Sequence, residues 1–334
     1  MVGGSAGDRL SARTNPKPRD REEYEVMDAS KVWWAPRARL VVAALGILFL
    51  EAPALPAAQL GPAAPFVVDR MEVRSLPSEA TGVTYRLLIS LPHGYDGDAV
   101  APHGLIRRRD HYPVIYLLDA DYSFLLARNI TDHLAERDDL PEVILVGIAY
   151  DGPPRYRLHR TRDYTPTFVP DGAYGPEFQR FSGGGPKFLK FLAEELVPAV
   201  ETTYRATPDE RTLVGHSYGG LFASFAVFER PGLFRRVIAV SPSLWYDNRF
   251  IFRREQSFSE SHSRLPASVY YAVGSREVNS ARSMLADLEA FSQQVRGRGY
   301  EGLELRTEVL AEETHNSLLP RALSNGLRFV FGAR

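Results

Sequence analysis

The chain contains no cysteine. That excludes a disulfide framework, a thiolate metal site, a catalytic thiol and a lipid-modified cysteine. It also lacks an excess of either charge: 40 Lys and Arg stand against 41 Asp and Glu, a formal net charge of -1. A nucleic-acid or anionic-membrane footprint needs a basic surplus, so neither partner is expected. Long apolar runs are scarce too. The one of note, Leu40 to Leu50, is too short for an ordinary membrane span. No internal repeat is visible, which removes solenoids and propellers.

What is present is a chain of 334 residues, 44% hydrophobic, long enough to bury a large core. Residues 1 to about 30 are polar, without apolar periodicity, and read as disordered. A basic flank at Arg37 and Arg39, the short apolar run, and small residues at Ala52 and Ala54 make a signal-peptide pattern. Met27 would give a more usual start than Met1. The sequence therefore divides into residues 1–58, a polar segment, signal peptide and linker start, and residues 59–334, a single α/β domain. The expected location is periplasmic or secreted. Retention of the segment as an N-terminal anchor is the alternative.

Short apolar runs recur through residues 59–334. Strands are expected at Phe66–Val73, Val83–Leu91, Pro113–Leu118, Val143–Ile148, up to Val214, Val237–Val240, Ser268–Val273 and Leu303–Leu310. Helical patterns lie between them: Ser123 to about Arg137, Pro186 onward with a kink at Pro198, Tyr218 to Glu229, Asn279 to about Arg296, and Leu318 to Phe331. Alternating strands and helices predict a mostly parallel sheet covered on both faces. Pro92–Tyr112 reads as a polar loop, residues 248–266 as charged and irregular. Ala149–Gly185 reads as a long loop, and loops of that size are usually functional or disordered.

The chain is organised around Gly215-His216-Ser217-Tyr218-Gly219, set between a buried strand and a small-residue helix. A Gly-x-Ser-x-Gly in that context is a nucleophile elbow. A serine hydroxyl needs a general base, and the base needs an acid to orient it. The order Ser, acid, His is met at successive strand ends by Ser217, Glu277 and His315. Ligands bind at the carboxyl ends of parallel strands, so the three should converge. Asp287 is the rival acid, inside a helix. His216 reads as a packing or hydrogen-bonding residue, because a residue next to the serine points elsewhere. The oxyanion donors expected are the N–H of Tyr218 and one from the turn after the Pro113–Leu118 strand, from Asp121 or Tyr122. Asp119 or Asp121 is a candidate helix cap.

Several ordered blocks now show a resemblance: Leu117 to Asp121, Arg162 to Pro166, Phe188 to Pro198, Gly215 to Leu221, Ser241 to Trp245, and His315 to Ser317. Together they resemble the esterase D-like branch of the α/β-hydrolases, most of all its periplasmic trilactone siderophore esterases. The resemblance runs from about Phe66 to the C-terminus. It implies the α/β-hydrolase fold, a sheet of about eight strands, and a serine carboxylic-ester hydrolase needing no metal or organic cofactor. The partner is a small-molecule ester. No lasting membrane partner is expected once the signal is cleaved, and nothing sets an oligomeric state. Arg160 and Arg162 are candidates to hold an anionic ligand, and Trp245 to stack on an aromatic ring. The branch also contains S-formylglutathione hydrolases, feruloyl and other acyl esterases, and acyltransferases, so these stay open as alternatives. Many members carry Asp-Gly where this chain has Asp119-Ala120, a difference expected to narrow the oxyanion turn.

Overall fold

The computed structural model describes residues 62–101, 104–106, 108–150, 155–278 and 283–332. The signal-peptide pattern and the 1–58 segment lie outside them. Among the described residues no helix is long and apolar enough to cross a membrane.

Eight strands form one sheet: β1 (Met71–Pro77), β2 (Thr84–Ser90), β5 (Tyr112–Leu117), β6 (Ile144–Ala149), β7 (Ala206–His216), β8 (Arg236–Val240), β9 (Arg264–Gly274) and β10 (Glu301–Leu310). Their spatial order is β1-β2-β6-β5-β7-β8-β9-β10. β1 and β2 run antiparallel at one edge, and the other six are mutually parallel. The central runs are buried throughout: every residue of β6 is buried, as are Leu213 to His216 at the end of β7. That is why they read as continuous apolar stretches and not as alternating ones. β3 (Ala99–Ala101) and β4 (Gly104–Ile106) pair as a small hairpin where a polar loop was expected. The first strand begins at Met71 and not Phe66. Phe66 is 91% exposed and has no neighbouring strand to lie against.

Helices cover both faces. α1 (Ala120–Ala135) and α9 (Leu319–Val330) close one side, sharing a core with Ile115, Leu145, Ile238 and Tyr270. On the other side lie α4 (Gly185–Phe191), α5 (Val197–Thr203), α6 (Tyr218–Glu229), α7 (Tyr246–Ser259) and α8 (Met284–Arg298). The disruption expected at Pro198 takes the form of a π-helical turn, Leu192–Leu196, between α4 and α5. A wider turn accommodates the proline, which has no N–H to donate and whose ring crowds the carbonyl four residues back.

The expected Ala149–Gly185 loop instead contains two helices, α2 (Arg155–Tyr164) and the single turn α3 (Pro176–Gln179). α7 replaces the irregular stretch expected at residues 248–266. It buries Ile251, Glu255 and Phe258 at helical spacing. Its acid is held by Tyr300, Gln294 and Arg298, so a buried charge sits where an apolar residue would have revealed the helix.

Candidate active site

β7 is the central parallel strand, and the chain turns at its end directly into α6. Ser217 occupies the apex with φ 59° and ψ −116°, a strained conformation for a side-chain-bearing residue. The flanking glycines are required by contact. A Cβ on Gly215 would overlap the carbonyl of Gly219, and one on Gly219 would press on the Asp119 carboxylate at 3.0 Å. The apex is fastened to β8, since Ser217 N–H donates to the Val240 carbonyl at 2.9 Å and Ser243 N–H to the Ser217 carbonyl at 3.1 Å.

Glu277 follows β9 and His315 follows β10. Nδ1 of His315 and Oε2 of Glu277 are 2.6 Å apart. The other carboxylate oxygen accepts from Ser241 Oγ at 2.5 Å and from Gly274 N–H at 2.8 Å. Burial alone would raise the carboxyl's pKa. The hydrogen bonds from His315, Ser241 and Gly274 outweigh it and hold Glu277 below the ordinary carboxylate range. Asp287 plays no part here: Arg249 binds it at 2.7 Å and 2.9 Å.

Two cavities meet at Ser217 and His315, which line both. The first, about 420 Å³, adds Ser243, Trp245, Arg276, Glu277, Val278 and Met284. The second, about 430 Å³, is walled by Tyr122, Leu126, Tyr156, Arg160, Tyr174 and His216. Trp245 lines the first cavity, its indole N–H 3.2 Å from the Met284 sulfur.

The two arginines do not behave as expected. Arg160 reaches the second cavity, but its donors are committed. Nε and Nη2 bind Asp119 at 2.9 Å and 3.1 Å, Nη1 binds the Tyr174 hydroxyl, and Nη2 lies 3.4 Å from the His216 carbonyl. Four tyrosine rings, Tyr156, Tyr164, Tyr174 and Tyr218, surround its guanidinium at 5.5–5.7 Å. Its charge is therefore balanced inside the protein and not offered to a ligand. Arg162 lines neither cavity. It pairs with its neighbour Asp163 at 2.6 Å, and the same acid takes hydroxyls from Tyr85 and Tyr150.

The Asp119–Arg160 pair is 1–2% exposed and joins the turn after β5 to α2 and to the elbow. Removing one partner of such a buried pair leaves an uncompensated charge. Asp119→Ala should lower unfolding stability by about 3–5 kcal/mol. Urea denaturation would show it, with much of the loss recovered in an Asp119→Leu, Arg160→Met double variant.

Asp119 takes the left-handed conformation, φ 57°, and α1 starts just after it without a side-chain cap from Asp119. Ala120 does not narrow the turn, because its Cβ faces Gly147 on β6, where a second Cβ would lie 2.7 Å away. Tyr122 N–H is directed at the Asp119 carbonyl at 3.3 Å. The Asp121 carboxylate accepts from Tyr150 N–H at 2.8 Å, and burial pushes its pKa up to about 6.

Sequence reasoning missed Arg276, which sits beside Glu277 at the end of β9. It also missed Tyr156 and Tyr174 of the second cavity, which lie in the segment read as a loop.

An eight-stranded, mostly parallel sheet with a serine at the turn after its central strand is the α/β-hydrolase fold. The relatives carry the identification further. The ferri-bacillibactin esterase BesA of Bacillus subtilis is 30% identical over 79% of this chain and 91% of its own. A siderophore enterobactin esterase of Emericella nidulans is 32% identical over 65% of this chain and 81% of its own. Among solved structures, the BES protein of Bacillus cereus superposes with a TM-score of 0.68 at 25% identity, covering 81% of this chain and 99% of that one. An IroE-like serine hydrolase of Shewanella oneidensis gives 0.67 at 27%, covering 78% and 80%. The chain belongs to the family described as "Putative esterase", which matches residues 78–307. It is a carboxylic-ester hydrolase.

Proposed function

We propose that this hydrolase is an exported serine esterase that opens a siderophore trilactone or a similar aromatic acyl ester through an acyl-enzyme. The observation that carries the substrate reading is the pair of cavities meeting at Ser217 and His315. A compact acyl donor fills one such space, whereas an ester with several arms fills both. BesA and the Emericella enzyme, by their names, act on siderophores, which supports the same class.

Ser217 Oγ attacks the ester carbonyl while Nε2 of His315 takes its proton. Glu277 holds Nδ1–H and stabilises the imidazolium that forms. The oxyanion lies against Tyr218 N–H and the Asp121 N–H in the first turn of α1, the Tyr122 N–H being turned to the Asp119 carbonyl. Collapse breaks the C–O bond, and His315 returns the proton to the departing alkoxide. Water then repeats the sequence on the acyl-serine and releases the acid.

The rim of the first cavity carries the selecting groups in this reading. Arg276 is 60% exposed despite its pairing with Glu312, so its guanidinium can exchange that partner for an anionic acyl group. Trp245 offers a stacking surface beside it. Trp245→Ala and Arg276→Ala should raise KM for a catecholate trilactone by about tenfold or more, each contact to a charged group being worth about 1.5–3 kcal/mol. KM for p-nitrophenyl acetate should stay within about twofold, as expected for a group the small ester never touches. Arg162→Ala should affect both substrates equally. Equal losses for the first two variants on both esters would reject the selection. Preferred hydrolysis of S-formylglutathione or a feruloyl ester by the wild type, or acyl transfer to an added alcohol, would reject the trilactone itself.

A further inference from the structure

His315 is carried by the loop after β10, an edge strand, whereas Ser217 ends β7, three strands away in the sheet. At about 4.8 Å per strand the loop must bring its histidine across about 14 Å of sheet edge. Glu277 fixes the imidazole of His315 but not the backbone that carries it. Within the loop, Leu318 N–H reaches Thr314 O at 3.3 Å and Ser317 Oγ bonds Glu313. Both are local, and Arg276 N–H to the Glu313 carbonyl at 3.0 Å and Glu312 N–H to Ser275 Oγ at 2.9 Å tie the loop only to the end of β9; none of these reaches the elbow.

The elbow supplies the missing tie. Nε2 of His216, the residue before Ser217, lies 2.8 Å from the backbone carbonyl of His315. Its Nδ1 lies 3.0 Å from the Tyr122 hydroxyl. The two imidazoles are 4.6 Å apart and tilted by 37°. A carbonyl oxygen only accepts, so Nε2 carries the proton. Nδ1 then has a free lone pair and accepts from the Tyr122 O–H. One neutral tautomer satisfies both partners. Burial and the neighbouring His315 and Arg160 hold the ring's pKa down, to about 4, against the opposing pull of Asp119.

We propose that His216 is a positioning residue for catalysis: a neutral latch, its tautomer set by the His315 carbonyl and its ring anchored by Tyr122, that holds the His315 backbone in register with Ser217. The inference rests on the Ser217–His315–Glu277 reading. Its geometry makes one demand of each neighbour. Tyr122 must donate, and the His315 carbonyl must accept. His216 itself touches neither proton in flight.

The test uses three variants of the purified protein and a small ester, p-nitrophenyl acetate, with competent sites counted by phosphonate titration. His216→Leu keeps bulk and loses the donor. Its kcat per titrated site should fall by about ten- to a hundredfold with KM nearly unchanged, since a displacement of about 1 Å costs that much. His216→Gln, whose amide can donate to the same carbonyl, should recover most of the loss. Tyr122→Phe removes one hydroxyl from a half-exposed residue and should lower kcat by about threefold or more, because the ring loses its second anchor at Nδ1. Ring ¹⁵N spectra of the wild type should show His216 protonated at Nε2 and neutral down to about pH 5, given its depressed pKa. Unchanged kcat per site in His216→Leu, or equal losses in the Leu and Gln variants, would overturn the latch. If His216→Leu does not fold, the Gln variant, Tyr122→Phe and the ¹⁵N spectra still decide, an Nδ1–H tautomer being fatal. Full activity of Ser217→Ala would instead overturn the triad, so the two failures are distinct.

Discussion

Ser217→Ala is expected to lower kcat by at least about 10⁴-fold, as loss of a nucleophile does in serine hydrolases. The melting temperature should not move. Alanine keeps the Cβ that Ser217 already carries at φ 59°, so the strain of the elbow is unchanged. The backbone bonds to Val240 and Ser243 involve main-chain atoms only and survive the substitution. Thermal unfolding and steady-state turnover on the same preparation give both numbers. Wild-type turnover in that variant would remove Ser217 from the mechanism. A large fall in melting temperature would make the activity loss uninformative about chemistry.

Glu277→Gln should cost about 10³- to 10⁴-fold in kcat, the range seen when a triad carboxylate becomes an amide. The amide is nearly isosteric, but it cannot accept two donors at one oxygen and balance an imidazolium at the other. Ser241 and Gly274 both donate to Oε1, and His315 faces Oε2, so an amide nitrogen in either position meets a donor. The pH dependence has a fixed sign. The folded pKa lies below the ordinary glutamate value of 4.5, so the unfolded chain binds the proton more readily. Stability from this group is complete above about pH 4.5 and is lost as pH falls through the folded value. Acid unfolding of Glu277→Gln should lack that part of the curve. An activity loss below tenfold would show that His315 works without its acid partner.

The legible parts of this molecule were those whose burial is apolar. β5, β6, the Leu213–Val214 end of β7 and the Val237–Val240 run of β8 announce themselves because both faces of the sheet are covered there and the buried runs are apolar. That Ser217, Glu277 and His315 would meet at one cavity was legible for a related reason: strand ends are visible, and parallel strands send their carboxyl ends to one edge. α2 was not visible because it is buried by charge. Arg160, Thr161 and Asp163 face inward in Arg155–Tyr164, and a hydrophobic period cannot reveal a helix packed through ion pairs. The same inversion misled the reading of Arg162. A charged side chain in an expected loop suggests a ligand, but the adjacent Asp163 satisfies it. Phe66 and Val67 failed in the opposite direction, being apolar without a partner to bury them. His216 was recognised as a packing or hydrogen-bonding residue, but its partner on the His315 loop is 99 residues away, beyond any local pattern.

α6, the helix that follows Ser217, has an unusual property. All of its residues from Tyr218 to Phe228 are buried, so it has no side to turn toward water. Such a segment has little reason to be helical in an open chain, and takes shape only as the sheet and its neighbours close around it. The N–H of Tyr218 and the orientation of Ser217 are fixed by that closure. On the proposed mechanism, the turn that presents Ser217 is therefore complete only when the sheet and its covering helices have closed around α6.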